Sequence, residues 1–207
     1  MTYGFLDVAV TPAVRDVQQK LGVAHMWENF RGDRHFDRFT DQEVGFIVDR
    51  DSFYIATTSE TGWPYIQHRG GAKGFLKVLD DRTLAFADCR GNFQYISTGN
   101  LSANDKACLF LMDYPRRTRL KIYVQAETVP LDADAALTAA VLEDAPGRAE
   151  RIIRLRLQNF DWNCPQYIVP RYTEAEIEGS LRPIRDRLAL LEAENTALRE
   201  QIAGASQ

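Results

Sequence analysis

Thr83-Leu84-Ala85-Phe86-Ala87-Asp88-Cys89-Arg90-Gly91-Asn92-Phe93-Gln94-Tyr95-Ile96-Ser97-Thr98-Gly99-Asn100-Leu101 is the stretch from which the rest of the chain is read. In its first half Leu84, Phe86 and Ala87 stand against Thr83, Ala85 and Asp88, the pattern of a strand with one buried face. Gly91 interrupts it, Asn92 is a good N-cap, and Phe93, Ile96 and Leu101 follow at helical spacing. A strand thus ends in a glycine turn and feeds a short helix. The first backbone N–H groups of a helix have no partner within it and carry partial positive charge, so this turn can hold a phosphate. The same pattern also occurs in proteins that bind nothing there, and the preceding segment has to decide.

That segment is Pro64-Tyr65-Ile66-Gln67-His68-Arg69-Gly70-Gly71-Ala72-Lys73-Gly74-Phe75. Tyr65 to Arg69 alternates like a strand, and Gly70, Gly71 and Gly74 let the backbone approach something closely. Arg69 and Lys73 flank those glycines with fixed positive charge. An anion meeting Arg69, Lys73 and the helix start at Asn92 would find three sets of donors. The alternative is a glycine-rich bulge with two solvated basic residues.

Around these two segments the chain reads as a β-meander. Phe53 to Thr58, Pro64 to Arg69, Phe75 to Leu79 and Thr83 to Asp88 are strands, with turn signals spaced about eight to twelve residues apart. Lys106 to Asp113 is a nearly continuous apolar run, expected to be a strand buried on both faces, and Arg119 to Val129 alternates. Asp132 to Glu143 reads as a helix and Glu150 to Gln158 as a returning strand. The basic cluster Arg116, Arg117, Arg119 and Lys121 is a solvated strand edge or an attractor of anions, with the edge favoured.

The quoted residues resemble the pyridoxamine 5′-phosphate oxidase-like family. The resemblance is carried by the strand from Phe53, the Gly62-Trp63-Pro64 turn, Gln67-His68-Arg69-Gly70-Gly71, Phe75-Leu76-Lys77-Val78-Leu79 and Gly91-Asn92-Phe93-Gln94-Tyr95-Ile96-Ser97. It covers Phe53 to Val129, with a second block from Phe160 to Pro170, and is greater to the uncharacterised bacterial branch than to the vitamin-making oxidase. It implies a mainly β fold with flanking helices, an FMN-binding split β-barrel, and a homodimer with flavin in a cleft between subunits. It places Arg69 near the flavin phosphate. Asn92, Phe93 and Gln94 fall where the oxidase has a Ser-Arg-Lys run on that phosphate, so Phe93 and Gln94 depart from the pattern. From the residues and the resemblance together, the candidate cofactor-binding residues are Gln67, Arg69, Gly70, Lys73, Asp88, Asn92, Gln94, Ser97 and Trp162; the catalytic residues are unknown and no metal ligand is expected. Trp162 and Gln166 would wall the ring, or Trp162 would plug the barrel end.

Three regions follow on this reading: a helical flank at 1–52, the barrel at 53–170, and a C-terminal heptad helix at 171–207. In the flank, Thr11-Pro12 opens one helix and the capping box Thr40-Asp41-Gln42-Glu43 another. Asp33 to Phe39 is charged and loop-like, with His35 on its surface. In the tail, Thr173 to Glu176 is a second capping box. Ile177, Leu181, Ile184, Leu188, Leu191, Asn195, Leu198 and Ile202 read as a heptad seam of about three and a half repeats, with Pro183 as a kink or restart; it would pair with another chain or pack along its own barrel.

Composition bounds the function. The 207 residues are 45% hydrophobic and 26% charged, with a net charge of −4, which argues against disorder and against a nucleic-acid surface. No apolar run reaches membrane-spanning length, and Met1 to Asp7 has no signal-peptide pattern, so a cytoplasmic protein is expected. The three cysteines, Cys89, Cys108 and Cys164, form no CxxC pair; the first two read as small buried side chains, and Cys164 would be reactive if exposed. His25, His35 and His68 lack metal-ligand spacing, and His68 is either a substrate contact or structural. The function expected is an FMN-dependent oxidoreductase acting on a small molecule. The alternative is a non-catalytic protein that binds or stores flavin, deazaflavin or haem.

Overall fold

The computed structural model describes residues 4–28, 37–162 and 165–205. His35 and Cys164 lie outside the described residues. Before the sheet come α1 (Gly4–Ala9), α2 (Pro12–Lys20), α3 (His25–Glu28) and α4 (Asp41–Val48). The sheet is made of β1 (Ser52–Thr58), β2 (Pro64–Gly70), β3 (Lys77–Asp80), β4 (Thr83–Cys89), β5 (Lys106–Asp113), β6 (Thr118–Val129) and β7 (Ala149–Trp162). Between strands lie α5 (Ile96–Ala103) and α6 (Ala135–Leu142), and α7 (Glu174–Ala205) is the last described element. The chain divides into two compact units, Met1–Asp113 with Arg117–Ile168, and Tyr114–Arg116 with Val169–Gln207.

All strand pairs are antiparallel, in the order β2-β1-β5-β6-β7-β4-β3. One row of side chains from each long strand points inward, as a period of two requires. Phe53 and Ile55 of β1, Leu109 and Leu111 of β5, Leu120 and Ile122 of β6, Leu155 and Phe160 of β7, and Leu84 and Phe86 of β4 share one buried cluster. Phe53 stacks on Phe75 and meets the edge of Phe86, with centroids 5.5 and 5.3 Å apart. These contacts, together with an Arg69–Asp88 ion pair between β2 and β4, bring together strands that stand far apart in the sheet order. The sheet therefore curls into a split β-barrel.

Several elements differ from the sequence reading. Asp88 shares the inward row with Leu84 and Phe86, where it is buried, and does not face the other side; Arg69 meets its charge. The row of β5 opposite the core, Cys108, Phe110 and Met112, is only half-buried in the single chain, so this strand is not covered on both faces. β4 is the strand covered on both sides: α6 packs Leu137 and Val141 over Ala85, Ala87 and Ile152. β3 starts at Lys77, because Phe75 and Leu76 are drawn into the core before pairing begins. Gly71 serves that fold-back, since a Cβ there would lie 2.8 Å from the Phe75 ring. Gly74 takes a left-handed φ of +82° in the same connection.

The caps stand where local sequence puts them. Thr11 accepts from the Val14 amide, and the Thr40–Glu43 capping box closes in both directions. Thr173 and Glu176 likewise exchange hydrogen bonds at the start of α7, which continues through Pro183. No helix among the described residues is long and apolar enough to cross a membrane.

Candidate functional site

β4 ends at Cys89 and the chain turns through Arg90 to Tyr95 into α5. The Asn92 side chain does not cap this helix. Its Oδ1 accepts from the Gln94 amide and its Nδ2 donates to Gln94 Oε1, both at 3.1 Å, which closes an Asx turn instead. The helix consequently starts at Ile96, after Tyr95, and no side chain caps its N terminus. Phe93 and Tyr95 have φ of 63° and 52°, a left-handed conformation costing of order 1 kcal/mol or more for each non-glycine residue.

Three bonds hold α5 to the barrel. Ser97 Oγ donates to Gln67 Oε1 at 2.7 Å, Thr98 Oγ1 to Asp88 Oδ2 at 3.3 Å, and Asn100 Nδ2 to Thr57 Oγ1 at 3.0 Å. They fix the open end of α5 beside Arg69. That residue pairs through Nη2 with Asp88 Oδ1 at 3.0 Å, and its guanidinium carbon sits 5.7 Å from the Phe86 ring centre. Its Nε is buried and has no hydrogen-bond partner.

A second layer comes from the start of β7. Glu150 accepts from Arg90 Nε at 2.7 Å, Tyr95 Oη at 2.9 Å and Arg151 Nη2 at 2.9 Å. Hydrogen bonding to Arg90, then to Tyr95, holds the Glu150 carboxyl below the usual range. The same bond to Glu150 pushes the Tyr95 hydroxyl up. Arg151 also lies over the Tyr95 ring at 5.0 Å and reaches Asp88 at 3.8 Å. Three guanidinium groups, Arg69, Arg90 and Arg151, thus surround two carboxylates, Asp88 and Glu150, which leaves one positive charge in excess.

The structure brings Gln67, Arg69, Asp88, Asn92, Gln94 and Ser97 together in the lining of one pocket of about 220 Å³. Gly70 ends β2 next to Arg69, outside that lining. Lys73 is not brought in; it sits on the exposed β2–β3 connection and pairs with Asp49 at 2.8 Å. Trp162 is not brought in either. Its Nε1 donates to buried Glu43 at 2.6 Å and its ring meets the edge of Phe46, so it fastens β7 to α4. Gln166 is exposed in a turn. His68 lies outside the pocket, edge-on to Tyr54. Lys121 pairs with Asp161 at 3.0 Å.

Sequence reasoning missed Tyr65 and Tyr95 in the lining, and Glu150 and Arg151 around the loop; Arg90, a basic residue beside the departures at Phe93 and Gln94, was within its reach. No local signal marks the last two, since β7 reaches the site only through its pairing with β4. Cys89 also lines the pocket; burial pushes its thiol up, and it donates to the Gly147 carbonyl. Burial raises the Cys108 thiol as well. Among the described residues no cluster of histidine, cysteine and carboxylate side chains could hold a metal ion.

This is a split barrel with an electropositive notch at an uncapped helix start. The pyridoxamine 5′-phosphate oxidase family model matches residues 39–161, more than half of the chain. The chain belongs to the pyridoxamine 5′-phosphate oxidase family, a family of flavin-binding split barrels. No curated protein matches it in sequence. Among solved structures it is similar to HupZ of Group A Streptococcus, with 16% identity, 65% of this chain and 100% of that chain covered, and a TM-score of 0.50. A putative pyridoxamine 5′-phosphate oxidase from Lactobacillus delbrueckii gives 20% identity, coverage of 61% and 96%, and a TM-score of 0.48. An FMN-binding protein from Syntrophomonas wolfei gives 10% identity, coverage of 70% and 97%, and a TM-score of 0.44.

Proposed function

We propose that this pocket holds the phosphate end of FMN and that the protein is an FMN-dependent oxidoreductase acting on a small molecule. The observation that carries the reading is the buried Arg69 Nε, a donor without a partner, beside a helix start that no side chain caps. Both are arrangements that an anion satisfies. Arg69 would supply the charged donor, with Asp88 fixing its orientation. The amides of Ile96, Ser97 and Thr98 would supply the neutral donors. Gln67, Asn92 and Gln94 line the same space with amide groups suited to a polar chain next to the phosphate. Flavin, when bound, supplies the redox chemistry, and the protein binds, orients and shields it.

The pocket volume favours a site completed by a second copy. About 220 Å³ is below the roughly 300 Å³ at which whole-ligand pockets begin, so one chain has room for part of the cofactor. The outward side chains Tyr54 and Ile66, the latter 65% exposed, offer apolar surface for such a copy.

The test compares FMN with riboflavin, which lacks the phosphate, by fluorescence titration of the purified protein. Wild type is expected to prefer FMN. Arg69→Ala should lose FMN affinity about ten- to a hundredfold, the equivalent of one charge-assisted hydrogen bond, with riboflavin unaffected. Equal binding of the two ligands, or of neither, overturns the reading. Reduction of bound FMN without turnover of any acceptor would leave a binding or storage protein, and a preference for deazaflavin would change the cofactor.

A further inference from the structure

The flavin reading makes no use of α7, whose residues 174–204 are all exposed. In its heptads Asn195 takes the first seam position, with Leu188 and Ile202 at the same position on either side and Leu191 and Leu198 at the fourth. Charged residues border this seam: Arg187 and Glu194 at the seventh position, Glu192 and Arg199 at the fifth. None of these four makes an ion pair within the described residues of its own chain, whereas Arg185 pairs with Glu178 along the helix.

We propose that α7 forms a parallel, in-register, two-stranded coiled coil with α7 of a second copy. Three observations fix this choice. In a parallel pair the seventh position of one heptad faces the fifth position of the next heptad on the other strand. Arg187 then meets the partner's Glu192 and Glu194 meets the partner's Arg199, opposite charges both times. The two Asn195 side chains face each other and can exchange amide hydrogen bonds. An antiparallel pair would instead set each Asn195 against an apolar fourth position and leave its amide without a partner. Pro183 falls at the third heptad position, on the outer side, so it does not obstruct the seam. The occupant is therefore another α7.

The test is disulfide trapping in the full-length protein. Asn195→Cys should cross-link under mild oxidation roughly tenfold or more faster than the outward-facing Glu200→Cys, because pairing makes the reaction effectively intramolecular. Leu198→Cys serves the same purpose if Asn195→Cys does not fold. Equal rates at seam and outer positions overturn the proposal. Arg187→Glu added to Asn195→Cys should slow the cross-linking severalfold, and Glu192→Arg added to both should restore it. Failure of that restoration overturns the parallel, in-register alignment.

Discussion

Arg69 is a structural tie and, in the function proposed, also a ligand donor. Its Nη2 closes the barrel through Asp88, while its Nε stays buried and unpaired. Replacement by lysine keeps the charge but loses the planar fork, so Arg69→Lys should recover only part of the FMN affinity lost in Arg69→Ala; equilibrium titration checks it. Glu150 gives the loop one pH-dependent contact. Its folded pKa lies below the ordinary 4.5, so the contacts with Arg90 and Tyr95 persist above that value and are lost as pH falls through the lower one. Tyr95 works at the other limit: its raised pKa keeps the hydroxyl donating past the ordinary 10.0, and the contact is lost as pH rises through the raised value. The Glu150–Tyr95 contact should therefore hold across neutral pH and fail at both extremes, which thermal melts across pH would register. Glu150→Gln should lessen the acid decline, and Tyr95→Phe the alkaline one. Cys89, with its thiol raised by burial, should alkylate slowly at neutral pH and faster only above its ordinary value, which mass spectrometry of the labelled protein reads directly.

At the scale of elements, the N terminus of α4 joins two roles in one carboxylate. Glu43, 3% exposed, accepts from the Thr40 amide and hydroxyl and from Trp162 Nε1. Thr40→Ala should cost about 1 kcal/mol of unfolding free energy as a lost cap. Glu43→Ala should cost more, roughly 2–3 kcal/mol, because it also leaves the indole donor without a partner. Urea unfolding midpoints at unchanged slope would measure both. The same element shows where sequence reading ends. The caps at Thr11, Thr40 and Thr173 were legible because each bond spans three residues or fewer. Most strands were legible from their period of two, β5 only as an apolar run. The partner of Trp162 was not, since Glu43 lies 119 residues away and only the barrel brings them together. Asn92 misleads for the opposite reason: two local options compete, and the Asx turn with Gln94 prevails over capping the helix. Arg69 was legible from its charge beside the glycines as well as from the family resemblance, whereas Glu150 and Arg151 enter the site through register.

At the scale of the whole molecule, association is the property most exposed to mutation. Replacing Asn195 by valine removes the polar pair from the proposed seam. Asn195→Val should raise the thermal stability of the α7 assembly while broadening its stoichiometry, as seen by light scattering on a sizing column. The proposed association of the barrels through Tyr54 and Ile66 should respond separately, so Ile66→Asp is expected to reduce FMN binding without altering α7 cross-linking.

The place of β7 in the sheet has a consequence for how the protein is made. β7 is the last of the described strands in sequence, yet it lies between β6 and β4. Until it leaves the ribosome, the nascent polypeptide can form the β2-β1-β5-β6 sheet and the β3-β4 hairpin, but no strand pairing joins them. Each fragment then carries a naked edge, on β6 and on β4, and both edges are sites for pairing with the wrong molecule. Closure waits on contacts distant in sequence, which are slow to find. Translation that stops before Ala149 should therefore yield aggregates, whereas release after Ile168 should yield a folded barrel, and pelleting of the truncated products would distinguish the two.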